Sequence, residues 1–233
     1  MQIKAIKTRV FKERENLTDF ILEYTEAIPE KSVFAITSKI VSLAEGRTAP
    51  IKKREFFIRK ESTFFLPNSW FSIKNNLIMP AAGIDESNGN GKLVLLPRDS
   101  YKSAETIRKS LKRKLKVKQL GVLITDSGFL PLRKGAVGIA LGYAGFEGIK
   151  NYIGQKDIFG RKLKYSRTNI PDSLATAAVL EMGEGNEQRP LVLITKAPVI
   201  FTEKVNKKEL QISPKRDIFY PLLKNLRNAK KKR

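Results

Sequence analysis

Leu77-Ile78-Met79-Pro80-Ala81-Ala82-Gly83-Ile84-Asp85-Glu86-Ser87-Asn88 passes from an apolar run, through a glycine, into two acids, a hydroxyl and an amide. The apolar part reads as the end of a β-strand, and Gly89-Asn90-Gly91 continues it as a loop. Side chains at such an exit are held by the strand and left open by the loop, which suits them to a ligand. A carboxylate, an Asn amide and backbone N–H groups could together hold a hard cation and a phosphorylated molecule. The competing reading is an acidic turn that is polar only because water solvates it.

Other exits of the same kind widen the reading. Ser32-Val33-Phe34-Ala35-Ile36 is a short buried strand, and Thr37-Ser38-Lys39 leads from it into the apolar-periodic segment Ile40 to Ala44. Leu120 to Thr125 is an apolar strand that ends in Asp126-Ser127-Gly128. The helix with Leu174, Ala175, Ala178, Val179 and Met182 on its apolar face stops at Gly183, before Glu184-Gly185-Asn186-Glu187-Gln188. One lysine, two carboxylate groups and a glycine-rich loop are the inventory of a nucleotide–metal site.

Composition narrows the chemistry. The chain has 233 residues, 41% of them hydrophobic, which is enough for one large domain or two small ones with a sizeable core. It contains no cysteine and no histidine. Disulfides, thiolate metal sites and a His-dependent triad are therefore excluded, and any metal must be a hard one on oxygen ligands. The formal charge of +22 calls for an anionic partner or a lysine-rich solvated surface, and its dispersion along the chain favours the surface. No apolar stretch reaches the roughly 20 residues of a membrane span. Met1 to Ile6 alternates like a strand and lacks a signal-peptide core, so a cytoplasmic location is expected.

The remaining elements alternate irregularly, and the expected class is mixed α/β without a regular βαβ period. Met1 to Val10 reads as a strand, and Asn16-Leu17-Thr18-Asp19 caps a helix running to about Ala27. Residues 53–76 interleave basic residues with Phe56, Phe57, Phe64, Phe65, Trp70 and Phe71. That pattern reads as strands packed on a core, with single-stranded nucleic acid as the alternative. Ser103 is expected to cap a helix carrying Ile107, Leu111 and Leu115 beneath a basic face. Val137, Ile139, Leu141 and Tyr143 alternate as one face of a strand, and Asp157-Ile158-Phe159-Gly160 forms a turn. Asp172 reads as a helix N-cap, and Ser213 or Pro214 begins a last helix through Leu226. A single domain is expected over 1–228, with two intertwined subdomains at most, followed by a basic tail at 229–233.

In order and wording these exits resemble the coenzyme F-420-0:L-glutamate ligase family, the γ-glutamyl ligases of deazaflavin coenzyme assembly. The matching residues are Ile36 to Arg47, Ala82 to Asn88, Leu95-Leu96-Pro97, Ile124 to Ser127, Arg133, Gly135, Ile139-Ala140, Gly142, Gly145, Asp157, Gly160, Asp172, Leu174-Ala175 and Met182 to Gly185. The resemblance implies a fold with mixed and antiparallel sheets, and a homodimer. It also implies a GTP-driven ligase that adds L-glutamate to a carboxylate acceptor through an acyl phosphate, with one or two Mg or Mn ions. On that basis Asp85, Asp126, Ser127 and Glu184 would hold metal, and Lys39, Asp85 and Asp126 would carry the catalysis. Ser38, Lys39, Asn88, Gly183, Glu184, Gly185 and Gln188 would bind the nucleotide. The chain departs from the family pattern at Leu43, where a lysine is usual, at 128–133, and in the loop Thr8 to Lys12. A folate-type acceptor, or a non-catalytic RNA-binding role for the basic surface, are the alternatives.

Overall fold

The structure is a computed structural model that describes residues 1–67 and 69–229, with side chains through Lys224. In chain order its elements begin with β1 (Gln2–Ile6), α1 (Leu17–Glu23), β2 (Ser32–Thr37), α2 (Ser38–Ala44), β3 (Thr48–Pro50) and α3 (Arg54–Glu61). There follow β4 (Phe64–Phe65), β5 (Phe71–Lys74), β6 (Leu77–Pro80), β7 (Lys92–Val94), α4 (Ser100–Leu115) and β8 (Leu120–Phe129). The chain continues through β9 (Ala136–Ala144), β10 (Ile149–Asn151), β11 (Arg167–Asn169), α5 (Ile170–Met182), β12 (Leu191–Thr195) and α6 (Tyr220–Ala229).

A five-stranded sheet in the order β1-β12-β2-β8-β9 carries the main core. Its central pair, β2 and β8, runs parallel with Ser32 opposite Leu120 and Thr37 opposite Thr125. The other pairings are antiparallel. Strands covered on both faces read as unbroken apolar runs, which is why β2 and the first half of β8 show no polar alternation. Phe34, Ile36, Val122 and Ile124 face Phe20, Ile21, Ile107 and Leu111 of α1 and α4. Val33, Ala35, Leu123 and Val192 face Leu174, Ala175 and Ala178 of α5. The result is a three-layer α/β/α body, in keeping with the mixed α/β class and the mixed and antiparallel sheets expected from the sequence.

A smaller lobe grows out between α2 and α4. It consists of the antiparallel pair β3–β7, the meander β4-β5-β6 and α3, around Ala49, Ile58, Ala81, Ile84, Leu93 and Leu95. Glu61 binds Arg47 at 2.7 Å and Lys74 at 2.6 Å, with Lys74 only 6% exposed. Burial raises the Glu61 carboxyl, but the two cations outweigh it and hold the group below the usual carboxylate range.

Several local expectations are corrected by the structure. Arg54–Glu61 is helical rather than a strand, with Ile58 as its buried residue and a Glu55–Arg59 pair at 2.6 Å one turn apart. Asn16 does cap α1, but the helix ends at Glu23. Asp99, not Ser103, caps α4, accepting the Lys102 N–H at 2.9 Å, while the Ser103 hydroxyl donates to Glu45. Asn169, not Asp172, caps α5, and the Asp172 carboxylate accepts the Ala140 N–H instead. Pro214 starts only one 3-10 turn, because Asp217 returns to extended backbone, and α6 begins at Tyr220. The expected tail lies outside the described residues beyond Ala229.

The strand bearing Asp126 does not stop there. β8 runs on to Phe129, with an irregularity between Ile124 and Thr125 that leaves Leu141 unmatched on β9. A bulge of this kind shifts the facing of every later residue. Leu141 accordingly packs with the α4 side and Tyr143 with the α5 side, so the expected single apolar face of β9 is split. Gly138 and Gly142 sit on either side of the split, under close backbone. A Cβ at Gly138 would lie 2.2 Å from the Ala175 carbonyl oxygen, and one at Gly142 would lie 2.5 Å from Ser100.

Candidate active site

The parallel pair of the sheet builds one wall of the site. β2 ends at Thr37 and passes directly into α2, and β8 carries Asp126 one residue past Thr125, the partner of Thr37. Ligands of open α/β sheets collect at such carboxyl ends, where the backbone diverges and side chains are free. Lys39 and Asp126 both line a cleft of about 1360 Å³ there.

The small lobe supplies the opposite wall. After β6 the chain turns with positive φ at Ala81, Ala82 and Gly83. The Ser72 hydroxyl fixes this turn, donating to the Met79 carbonyl at 2.6 Å and accepting the Ala82 N–H at 2.7 Å. Gly83 has φ of +70°, and a Cβ there would come within 2.7 Å of Leu96. Asp85 then exchanges backbone hydrogen bonds with Val94, at 3.0 and 2.8 Å, and its carboxylate is held out into the cleft.

Lys39 joins the two walls. Its ammonium donates to Asp85 Oδ2 at 2.7 Å, to the Ser87 carbonyl at 2.9 Å and to the Ser87 hydroxyl at 3.0 Å. Ser87 in turn donates to Asp85 through its N–H at 2.8 Å and its hydroxyl at 2.7 Å. Burial pushes the Asp85 carboxyl up, but Lys39 and the two Ser87 donors outweigh it and the group stays below its ordinary value. Asp126 behaves in the opposite way. Withdrawal from water pushes its carboxyl up to about 7, against the Ser127 N–H, the Lys39 charge and the Ser38 side chain, and the charge of Asp85 adds to the rise. Among the described residues Asp126 forms no ion pair, so it is an acid held in low dielectric without a cation of its own.

The third wall is the segment after α5. Gly183 ends that helix with φ of +80°. The Ser127 hydroxyl donates to Glu184 at 2.7 Å, and Asn88 donates to the Gly185 carbonyl at 3.3 Å. Gly185 is held by Glu187 at 2.8 Å, and the Gln188 carbonyl accepts the Thr8 N–H at 2.9 Å. Lys39, Asp85, Asn88, Asp126, Ser127, Gly183, Glu184, Gly185 and Gln188 thus line one cleft. Ser38 does not. It is 4% exposed, and its side chain is turned to Asp126 rather than to the open space expected of a phosphate contact.

Could these residues hold a divalent ion? Every donor is an oxygen, from Asp85, Asp126, Ser127 and Glu184, which suits Mg or Mn. Among the described residues no three acidic side chains converge on one point, so ligand phosphates or water would have to complete the coordination. The raised carboxyl of Asp126, which has hydrogen-bond donors but no ion pair among the described residues, is the observation that fits: a cation beside it removes the cost of its charge.

The structure also brings in residues that the sequence reading did not assign to the site. Arg54, Trp70, Lys92 and Glu13 all line the cleft. Lys92 pairs with Glu13 at 2.6 Å and Arg54 with Glu86 at 2.9 Å. The basic and aromatic character of residues 53–76 was the available signal for Arg54 and Trp70. Leu43, the position of the missing lysine, lines the cleft as well.

A family model described as F420-0:Gamma-glutamyl ligase matches residues 55–196. The chain is 42% identical over 146 residues to the Coenzyme F420:L-glutamate ligase of Methanococcus maripaludis, covering 63% of this chain and 58% of that protein. It is 32% identical to the enzyme of that name from Methanopyrus kandleri, over 88% of this chain and 91% of that one. With the Methanosarcina mazei protein of the same name the identity is 30%, over 99% and 100% of the two chains. The match thus spans less than two thirds of the Methanococcus relative and essentially the whole of the Methanosarcina one. No described helix is long and apolar enough to cross a membrane.

Proposed function

Because the chain belongs to the F420-0:Gamma-glutamyl ligase family, we propose that it joins L-glutamate to a carboxylate acceptor of the coenzyme F420-0 type, driven by GTP. The observation that carries this reading is the meeting of Lys39, Asp85 and Asp126 in one cleft, from three distant parts of the chain.

A carboxylate is a poor acyl donor, since oxide is its leaving group. In the proposed sequence an acceptor carboxylate oxygen attacks the γ-phosphorus, and the bond to the β-phosphate oxygen breaks to release GDP. The amine of glutamate then attacks the acyl carbon of the resulting acyl phosphate. The C–O bond breaks, inorganic phosphate leaves with the electron pair, and the amine proton passes to solvent. Neither step needs histidine, because the work is positioning and charge neutralisation.

Asp85, Asp126, Ser127 and Glu184 would hold one or two Mg or Mn ions, which would neutralise phosphate charge. Lys39, now bound to Asp85, is a cation within reach of an incoming phosphate, and a triphosphate competes with Asp85 for it. The backbone of Gly183 and Gly185 and the side chains of Asn88 and Gln188 line the wall against which the nucleotide would lie. The working unit in this reading is a homodimer in the cytoplasm. The test is to mix protein, GTP, Mn, L-glutamate and coenzyme F420-0 and to follow phosphate release and the mass of the product. Added glutamate mass with one phosphate per turnover supports the reading. GTP that fails to bind in the presence of Mn would overturn it.

A further inference from the structure

Trp70 is the chain's one tryptophan, and it stands 64% exposed at the edge of the cleft. A lone exposed aromatic is ordinary on a protein surface, but this one is held. Its carbonyl accepts the Ala81 N–H at 2.7 Å, which fixes it to the turn that leads into Asp85. The Arg54 guanidinium lies 4.4 Å from the ring centroid, and Arg54 is itself paired at 2.9 Å with Glu86, the residue after Asp85. Arg54 Nε is buried and has no hydrogen-bond partner among the described residues. A cation fixed against an indole stiffens it, and the residue as a whole remains mostly open to solvent.

We infer that Trp70, backed by Arg54, is a stacking platform for a planar heteroaromatic ring at the small-lobe end of the cleft. The inference rests on the ligase reading, in which two substrates carry such a ring: the purine of the triphosphate and the deazaflavin of the acceptor. Stacking on tryptophan tolerates either ring, because each offers a π-face of suitable size. The platform is tied through Glu86 and Ala81 to the segment that carries Asp85. A ring seated on it is thereby held in a fixed relation to the acidic centre.

The single tryptophan makes the test direct. Its emission is followed while the protein is titrated with GTP and Mg, with ribose 5-triphosphate and Mg, and with coenzyme F420-0, corrected for ligand absorption. Affinities are measured in parallel by calorimetry for wild type, Trp70→Ala and Trp70→Phe. One ring-bearing ligand should quench the emission saturably and bind Trp70→Ala about 10- to 100-fold more weakly, with Trp70→Phe in between. Quenching by GTP and not by ribose 5-triphosphate assigns the purine, and quenching by F420-0 assigns the acceptor ring. A melting temperature unchanged in Trp70→Ala confirms that the variant is folded, and Trp70→Phe serves the same comparison if it is not. If both ligands bind wild type and the variants equally well, the platform is refuted and the ligase reading stands. If neither ligand binds wild type, both are refuted.

Discussion

Replacing Asp126 by Asn should stabilise the metal-free protein at alkaline pH while destroying its metal-dependent nucleotide binding. The Asp126 carboxyl is raised from its ordinary value of 3.8 to about 7, chiefly by withdrawal from water. A shift of that size corresponds to at most about 4 kcal/mol of strain when the group is ionised. The side chain retains some exposure, and screening reduces this to about 1–3 kcal/mol. Asn fills the same volume, keeps an oxygen for the Ser127 N–H and carries no charge. The sign follows from linkage. Between the unfolded pKa and the folded one, the native state binds the extra proton, so the wild type gains stability as pH falls from 8 toward 4. The advantage of Asp126→Asn should be greatest at pH 8, shrink as pH falls through about 7, and be largely gone near pH 4. In a chain of this length it should raise the melting temperature by about 2–10 °C at pH 8. Urea unfolding of both proteins in chelator at pH 8, 6.5 and 5 measures the difference, in which the other titrating groups cancel. Adding Mn should then stabilise wild type and leave the variant unmoved. A variant less stable than wild type at pH 8 in chelator, or a difference independent of pH, would refute the reasoning.

Three further outcomes are expected. Lys39→Ala removes the cation that joins Asp85 to the main body, and turnover should fall at least about 100-fold with the fold intact by circular dichroism. Gly83→Ala forces a side chain into φ of +70° and against Leu96, and should cost about 1–3 kcal/mol in denaturant unfolding. Glu61→Gln deprives buried Lys74 and Arg47 of their shared anion and should cost about 3–5 kcal/mol. Because the Glu61 carboxyl lies below its ordinary value, its contribution is present above the unfolded pKa and fades as pH falls through the folded one. The gap between wild type and Glu61→Gln should therefore narrow on acidification.

Short-range pattern told most about the elements of the large body. The unbroken apolar runs at Ser32–Thr37 and in β8 are what a strand covered on both faces must look like, and Gly183 after an apolar helical stripe marks where α5 stops. The residue types at 85–88 and 126–127, in a chain with neither histidine nor cysteine, limited the chemistry to oxygen ligands and one lysine. Periodicity failed where a distant partner decides the outcome. The bulge opposite Leu141 reassigns the faces of β9, and Asn169 caps α5 in place of Asp172, whose carboxylate is taken by a strand 32 positions away.

Sequence alone therefore determined the fold class, the family wording and the kinds of ligand that the side chains can bind, because these depend on composition and on neighbours along the chain. Tertiary structure decided which of those side chains meet. Asp85 reaches Lys39 across 46 positions only because the small lobe docks over α2, and Asp126 becomes a raised acid because the folded chain withdraws it from water. Arg54 and Trp70 enter the cleft for the same reason. Such contacts depend on how whole elements pack, and no local run of residues encodes that.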